Sequence, residues 1–514
     1  MSATNRILSG SAASWVRIFI SIVSQIVLVP VYLSYWPVEL YGIWLAIQAV
    51  LNILSTLDKG FQNYLGFEFL RLGENRREEI AQHVWSGVWM GITIGLLQIA
   101  IVLGFTLSGF THVLIGEKAI LSQPTLIQDA AWALLFSSIA WLLSGSVGGI
   151  LGRALTPFGY YPRMSWWGVW ATIITSAAPV IAVASGAGLF GAGLVAALAT
   201  VAYNIPLYAD IFRLMKKERI GFVTSSIKLG FIDFGYSLAL SGKDLLENAR
   251  QQGARLILAP LAGAAGVAAF ATMRTGANIA LQGLGTLTNP LMPELMRFLH
   301  QRDQQRTDAS FATVWMIVVV VMSPGVVVFQ LLAEPLFASW TRNKIAFNPL
   351  LFAVLSLGVL VYAIAQPAIT VIRGNNLLRV QVLNSAVSAI VVVGGMVLLV
   401  PYFGIVGAGF SLLAAEIITA FLYRQQAKKW LESQHMAWPK KASMLASCSV
   451  LIAASAMGAM IYLPTDYKTG CVAISMVLFL INIKAYIASL PAVALDKIKQ
   501  IASKLPGLGF LKNE

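Results

Sequence analysis

The chain has 514 residues, of which 58% are hydrophobic and 11% are charged, and its formal net charge is +14. Soluble domains usually carry about 25% charged residues, so the composition excludes an ordinary soluble protein and indicates an all-α polytopic membrane protein. The two cysteines and four histidines have no redox or metal-ligand spacing. No nucleotide-binding or hydrolase motif occurs either. We therefore predict no enzyme activity, no catalytic residues, no cofactor and no metal site.

The apolar runs predict about fourteen transmembrane helices, because each run has the length of about 20 residues that crosses a bilayer. In chain order they lie near 10–35, 39–66, 84–110, 129–152, 165–186, 188–212, 232–260, 264–291, 312–334, 349–372, 381–401, 404–423, 444–463 and 470–490. A basic amphipathic segment at 493–505 predicts a short interfacial helix after the last span.

The distribution of Lys and Arg predicts the orientation of these helices. With both termini in the cytoplasm, 26 of the 36 cations lie in cytoplasmic segments and only four lie on the opposite side, as the positive-inside rule requires. Without the seventh span, 232–260, fifteen of those cations would move outside. We therefore predict that this span crosses the membrane, and that the positive charge reflects topology and lipid contact rather than nucleic acid.

The seventh span is unusual because it contains the polar sequence SGKDLLENARQQGAR at 241–255. Its helical spacing puts two adjacent rows on one face: Lys243, Glu247 and Arg250, and beside them Asp244, Asn248, Gln251 and Arg255. A charge at the bilayer centre costs about 2.5–3.5 kcal/mol, so this face must meet water, a ligand or other charges. Two interpretations stay open: a cavity lining that meets a charged substrate, or an ion-pair ladder, such as Lys243 with Glu247, that only holds the helix.

Further cations lie within other predicted spans. Arginine suits phosphate because its planar donors bind two oxygens at once, so cations on several helices predict one basic chamber. The candidate substrate-binding residues are Arg17, Gln25, Lys59, Lys243, Arg250, Arg255 and Arg274. The alternatives are that Arg17 extends to the membrane surface and that Lys59 is neutralised by the adjacent Asp58.

A weak internal repeat predicts the domain organisation. The segments FEFLRL (67–72) and PELMRF (293–298) end the second and eighth predicted spans. Because six spans separate the copies, the two halves would share one orientation in the membrane. We expect an N-terminal lobe of spans one to six at 1–230 and a C-terminal lobe of spans seven to twelve at 231–430. Residues 431–514 would add two further spans and the interfacial helix.

The N-terminal segment ILSGSAASWVRIFISIVSQIVLVPVYLSYWPVELYGIWLAIQAVLNILSTLDKGF (7–61) resembles the bacterial polysaccharide flippases, O-antigen (Wzx) type, of the multidrug/oligosaccharidyl-lipid/polysaccharide exporter superfamily. The resemblance lies in a polar first span ending at Pro30, in the sequence YGIW at 41–44 and in Asp58-Lys59-Gly60. The family's motif at the last place is Asp-x-Gly, usually with an apolar middle residue, so Lys59 is a departure.

The resemblance implies a V-shaped transporter of the bacterial inner membrane that works by alternating access. Its substrate would be an oligosaccharide repeat unit on undecaprenyl pyrophosphate, moved from the cytoplasmic to the periplasmic leaflet. It also implies coupling to an ion gradient, for which the candidate residues are Asp244, Glu247, Asn384 and Glu416. Membrane lipids, a polysaccharide polymerase and the chain-length machinery would be partners, and nucleic acid would not.

Three other functions stay open at this point. A drug and cation antiporter of the same superfamily would need an acidic, aromatic cavity, whereas the cations within the cavity spans lean the balance toward basic. A membrane-bound polysaccharide polymerase or ligase would usually bring a larger extramembrane loop than 111–128. A scaffold for polysaccharide assembly would need no charged cavity.

Overall fold

The computed structural model describes residues 3–115, 124–288 and 291–491, and all the regular structure within these ranges is helical. The first part of the chain forms α1 (Ala3–Tyr35), α2 (Val38–Leu72), α3 (Arg77–Leu107), α4 (Phe110–Ile115), α5 (Leu126–Trp141), the π-helix π1 (Leu142–Val147), α6 (Gly148–Ala154), α7 (Tyr161–Ala184), α8 (Leu189–Lys217) and α9 (Ile227–Thr288).

The second part forms α10 (Leu291–His300), α11 (Gln304–Ile317), the π-helix π2 (Val318–Met322), α12 (Ser323–Trp340), α13 (Pro349–Gly374), α14 (Leu378–Phe403), α15 (Ile405–Ser433), α16 (Lys440–Tyr462) and α17 (Thr465–Ile487). The predicted interfacial helix at 493–505 lies outside the described residues. The last two predicted spans correspond to α16 and α17.

Thirteen helices of the described part are long and apolar enough to cross a membrane, which confirms the all-α polytopic fold. The count differs from the predicted fourteen because the seventh and eighth predicted spans lie in one helix, α9. Within it, Ser241–Ile279 forms a single candidate span of 39 residues. The helix is broken at Gly263, whose φ of 71° and ψ of 174° are open to glycine alone.

The chain divides into two compact units. Unit 1 comprises Met1–Thr272 and the short segment Trp340–Ile345, and unit 2 comprises Met273–Ser339 and Ala346–Glu514. The part of α9 that contains 241–255 therefore belongs to unit 1. The two transport lobes and their limits, 1–230 and 231–430, stay a prediction.

The core of unit 1 forms around one face of α2. Phe61, Leu65 and Phe69 are four residues apart, so their side chains lie above one another along the helix. All three are fully buried and pack with apolar side chains from α3, α6 and α8. This apolar row begins beside the sequence Asp58-Lys59-Gly60, so the same helix carries both the core and the polar residues described below.

The core of unit 2 forms around three aromatic rings. Phe311 and Trp315 on α11 lie with their ring centroids 5.8 Å apart, and they contact Trp438, which precedes α16, at centroid distances of 5.4 and 5.6 Å. The Tyr486 hydroxyl on α17 donates a hydrogen bond of 2.7 Å to the carbonyl of Ala312. The two C-terminal helices are thus packed into the core of this unit.

The segment Trp340–Ile345 is attached to α1. Pro30 lies inside α1 and has no N–H, so the carbonyl of Ile26 lacks the donor that an α-helix normally supplies four residues later. The indole Nε1 of Trp340 donates to this carbonyl at 2.6 Å. The Nζ of Lys344 donates to the carbonyl of Trp36, just beyond the end of α1, at 3.4 Å. A distant part of the sequence thereby supplies a donor that the helix itself lacks.

Candidate functional site

The polar sequence 241–255 is helical and packs against α2. Asn248 Nδ2 donates a hydrogen bond of 3.0 Å to Thr56 Oγ1, and Ser241 lies against Gly60. A Cβ atom on Gly60 would stand 2.2 Å from the Ser241 hydroxyl oxygen, so only glycine permits this approach. The stretch lies within the candidate membrane span Ser241–Ile279. The crossing of the membrane by this stretch stays a prediction.

The cations of this helix differ in their surroundings. Arg250 is 9% exposed and donates to Glu247 Oε1 at 2.8 Å, and Gln251 also donates to Glu247 at 3.3 Å. Arg255 donates from Nη1 to Gln252 at 3.3 Å, while its buried Nε has no hydrogen-bond partner among the described residues. Arg250 thus takes part in an ion pair, whereas one donor of Arg255 is buried without a hydrogen bond in the described structure.

The remaining candidates of unit 1 lie on α1 and α2. Arg17 is exposed, and its Nη1 is the atom that a Cβ on Gly168 of α7 would meet, at 3.6 Å. Gln25 donates to Ser21 at 3.3 Å. The Lys59 Nζ lies 4.9 Å from the centre of the Trp141 ring, a cation–π contact. Lys243 and Asp244 are half-buried on α9. The substrate-binding role of these residues stays a prediction.

Three candidates belong to unit 2. Arg274 lies on the part of α9 that belongs to this unit and is half-buried. Asn384 on α14 exchanges two hydrogen bonds with Gln426 on α15, of 2.7 and 3.2 Å. Glu416 on α15 packs beside Gly358 of α13. The four candidate coupling residues are thus divided between the units, with Asp244 and Glu247 in unit 1.

Asp58 lies in a polar cluster that was not predicted from the sequence. This carboxylate is 0% exposed, and its Oδ2 accepts hydrogen bonds from Trp141 Nε1 at 2.8 Å and Ser146 Oγ at 2.7 Å. Lys59 lies over the Trp141 ring, and no ion pair joins it to Asp58 in the described structure. The two charges still act on each other, so the alternative that Lys59 is neutralised by Asp58 stays open. Both donors to Asp58 belong to the broken fourth span, at the end of α5 and within π1.

The same cluster holds a second layer of polar side chains. Arg153 on α6 donates to Gln62 Oε1 at 2.8 Å and to Asn63 Oδ1 at 2.9 Å. Gln62 in turn donates to the carbonyl of Gly145 in π1 at 3.0 Å. The Tyr208 hydroxyl of α8 donates to the carbonyl of Leu143, also in π1. Gln62 and Tyr208 thus donate to carbonyl groups of π1, and Arg153 in turn donates to Gln62.

The sequence Asp58-Lys59-Gly60 is the one part of this cluster that a sequence pattern indicated. No pattern indicated the residues that contact Asp58. Trp141 and Ser146 are 83 and 88 residues away from Asp58 along the chain. Serine, tryptophan and glutamine are also ordinary residues of membrane helices. A π-helix has no compositional signature, so its six residues read as a continuous apolar span.

Several solved membrane-transporter structures are similar in fold to this chain. The lipid II flippase MurJ in its inward closed conformation resembles this chain with a TM-score of 0.60 and 12% identity, over 92% of this chain and 97% of that one. An inward-facing multidrug resistance MATE family transporter of the MOP superfamily has a TM-score of 0.60 at 11% identity, over 81% and 95%. An outward-facing structure of a MATE family transporter gives 0.53 at 15% identity, over 83% and 96%.

The chain has the fold of these membrane transporters. The sequence itself matches no protein-family model and no curated protein. Together with the thirteen candidate spans, the shared fold makes this a multi-pass membrane protein. Its structural neighbours are flippases and transporters rather than enzymes.

Proposed function

We propose that this protein is a flippase that moves an oligosaccharide repeat unit on undecaprenyl pyrophosphate from the cytoplasmic to the periplasmic leaflet of the bacterial inner membrane. It works by alternating access and is coupled to an ion gradient. The observation that carries the proposal is the cationic face of α9: Lys243, Arg250 and Arg255 lie in a helix that is long and apolar enough to span the membrane. The fold of a lipid II flippase supports it.

The physical argument is the cost of moving an anionic headgroup through hydrocarbon. A pyrophosphate in the bilayer core lacks hydrogen-bond donors, and Arg255 has one buried donor without a partner in the described structure. An inside-negative potential favours outward movement of an anion by about 2.3 kcal/mol per charge per 100 mV. A polar, basic path therefore lowers the barrier while the membrane potential sets the direction. The polyprenyl tail stays in the lipid.

The second candidate function is a cation-coupled drug antiporter. It is supported by the fold of a MATE family transporter in inward-facing and outward-facing structures and by the fully buried carboxylate of Asp58. The two candidates make opposite demands on α9. An anionic substrate needs its arginines, whereas a cationic drug is repelled by them.

Reconstitution separates the two candidates. Proteoliposomes would contain undecaprenyl pyrophosphate carrying a short oligosaccharide, and an added lectin would report which leaflet exposes the sugar. Ethidium efflux would be measured in parallel. We expect the wild-type protein to move the sugar, Arg255→Ala to move it at least tenfold more slowly, and Arg255→Lys to keep part of the rate. Ethidium transport without movement of the sugar would establish the antiporter instead.

A strain that lacks the protein distinguishes the flippase from the enzyme candidates. We expect lipid-linked repeat units to accumulate on the cytoplasmic leaflet of such a strain. A normal leaflet distribution together with shortened polysaccharide chains would identify a polymerase.

A further inference from the structure

We propose that Asp58 is a proton-binding site, and that its protonation controls the register of π1 in the fourth span. The proposal deepens the proposed function by naming the coupling ion and the residue that takes it. It rests on the proposed function only for the use of the proton in transport. The binding of the proton and its effect on π1 stand on the cluster itself.

The first step is the uneven hydrogen bonding of the carboxyl group. Both donors, Trp141 and Ser146, bind Oδ2. Oδ1 is buried and has no hydrogen bond of normal geometry among the described residues; the nearby Gln62 amide also stabilises the carboxylate, but it donates its hydrogen bond to the carbonyl of Gly145. A buried carboxylate oxygen without a donor or a cation is costly, because its charge has lost water without gaining a partner. A proton on Oδ1 removes that cost, since the neutral acid carries no charge and Oδ2 keeps both of its donors.

A second carboxylate of unit 1 provides the comparison. Asp210 on α8 is also buried, at 8% exposure, and also accepts from a tryptophan, Trp167 Nε1 at 2.8 Å. Both of its oxygens, however, accept from the guanidinium of Arg163 on α7. Each oxygen of Asp210 therefore has a charged donor. Asp58 has the tryptophan but lacks the arginine.

The cations near Asp58 form no ion pair with it among the described residues. The cations whose charge acts on Asp58 are Lys59 on α2 and Arg153 on α6. Of these, Arg153 directs its donors at Gln62, Asn63 and the carbonyl of Gly149. In the described residues no group of three or more His, Cys, Asp or Glu side chains could hold a metal ion. The Trp141 Nε1 that contacts Asp58 can only donate a hydrogen bond, so it suits an acid or its carboxylate and cannot be a cation ligand.

The second step links the proton to π1. Trp141 and Ser146 are five residues apart. In an α-helix, five residues turn through about 500°, which leaves two side chains about 140° apart. In a π-helix, residues i and i+5 are joined by a hydrogen bond and lie one above the other. Both side chains can therefore reach the same carboxyl oxygen because the segment is π-helical.

The third step is the change on protonation. A charged acceptor makes hydrogen bonds roughly twice as strong as a neutral one, so a proton on Asp58 weakens its bonds to Trp141 and Ser146 together. Those two bonds hold the π register from outside the helix. Their weakening favours the ordinary α-helical register, and each residue by which the register changes rotates the rest of the span by about 100° and shifts it by about 1.5 Å.

Infrared spectroscopy of the full-length protein in lipid bilayers tests the binding of the proton. Spectra at acidic minus alkaline pH should contain the carbonyl stretch of a buried protonated carboxyl group. We expect Asp58→Asn to remove this band and the matched control Asp210→Asn to keep it. Ser146→Ala, which removes one donor from the carboxylate, should make the band appear at higher pH. A band that survives Asp58→Asn would overturn the proposal.

Hydrogen–deuterium exchange tests the link to π1. After correction for intrinsic exchange, the peptide that covers residues 141–148 should exchange with a pH dependence that follows the infrared band, whereas a peptide from α3 should not. Asp58→Asn should remove this dependence. If hydrogen exchange at π1 does not depend on the charge of Asp58, the proposed control of the π1 register is overturned. Neither experiment uses a transport substrate, so failure of the flippase function would leave both results intact.

Discussion

At the scale of single residues, the cations of α9 differ in how strongly the structure already satisfies them. Arg250 is paired with Glu247, as the ion-pair interpretation of the helix requires, although with a spacing of three residues rather than the four predicted for Lys243 and Glu247. The buried Nε of Arg255 donates no hydrogen bond to any described residue. The roles of Arg250 and Arg255 therefore need different experiments.

The pair of Glu247 and Arg250 allows a structural role to be separated from substrate binding. Removing one partner of a buried ion pair leaves an uncompensated charge and typically costs about 3–5 kcal/mol, whereas replacing both partners by apolar residues is often neutral. We expect Arg250→Ala to lower the thermal unfolding midpoint, and Arg250→Met combined with Glu247→Leu to restore it. If Arg250 contacts the anionic substrate, the double variant stays inactive in the lectin assay. Restored transport would identify a purely structural ion pair.

At the scale of helices, α2 is in close contact with α9 at two glycines. Gly60 faces Ser241, and a Cβ atom on Gly42 would stand 1.9 Å from the carbonyl oxygen of Ala264, next to the break at Gly263. Backbone contact of this kind is how helices pack in membranes, where small residues allow close approach. The close packing explains how a helix as polar as 241–255 is accommodated, because one side of it is covered by α2.

The contact at Gly42 predicts the effect of adding one methyl group. We expect Gly42→Ala to destabilise the protein by about 1–3 kcal/mol, because neither backbone can give way without separating the helices. Gly104→Ala is the matched control, since it also lies in a helix but has no atom within 4 Å of the added Cβ. The control should be neutral or stabilising, because alanine favours helix by up to about 1 kcal/mol. Equal unfolding midpoints in the two variants would contradict the contact.

Most of the helices could be predicted from the sequence, whereas the polar cluster around Asp58 could not. Helix length and apolar content are local properties, so the candidate spans follow from composition, apart from the division of α9 into two predicted spans. Gly263 could not be recognised as a break, because glycine is common in membrane helices. The Asp58 cluster depends on a π register and on contacts across more than 80 residues, neither of which a local pattern encodes. The candidate coupling residues predicted from the sequence were therefore Asp244, Glu247, Asn384 and Glu416, and Asp58 was not among them.

At the scale of the whole molecule, the distribution of cations predicts which ends of the helices face the cytoplasm. Single cysteines introduced by Lys216→Cys and Arg342→Cys, in a background with Cys448 and Cys471 replaced by serine, would test it in intact cells. We expect a membrane-impermeant maleimide to label position 342 from outside, and position 216 only after the membrane is permeabilised. The reverse pattern would invert the topology.

The segment Trp340–Ile345 joins unit 1 from a distant part of the chain, which a double-mutant cycle can measure. An unpaired carbonyl in an apolar environment costs about 1–3 kcal/mol, so Trp340→Phe should lower the unfolding midpoint. In a Pro30→Ala background, the new N–H of residue 30 serves the carbonyl of Ile26, and the same substitution should cost much less. Equal costs in both backgrounds would mean that the indole stabilises the protein by packing alone.

This hydrogen bond also has a consequence for biosynthesis. The bond joins residues 314 positions apart, and a chain grows at about 5–20 residues per second. Roughly 15 to 60 s therefore pass between the synthesis of Ile26 and that of Trp340. Throughout that interval α1 is already made, while the carbonyl beside its proline lacks the indole that satisfies it in the finished protein. The nascent first helix thus depends on water, lipid headgroups or the insertion machinery until the second half of the chain arrives.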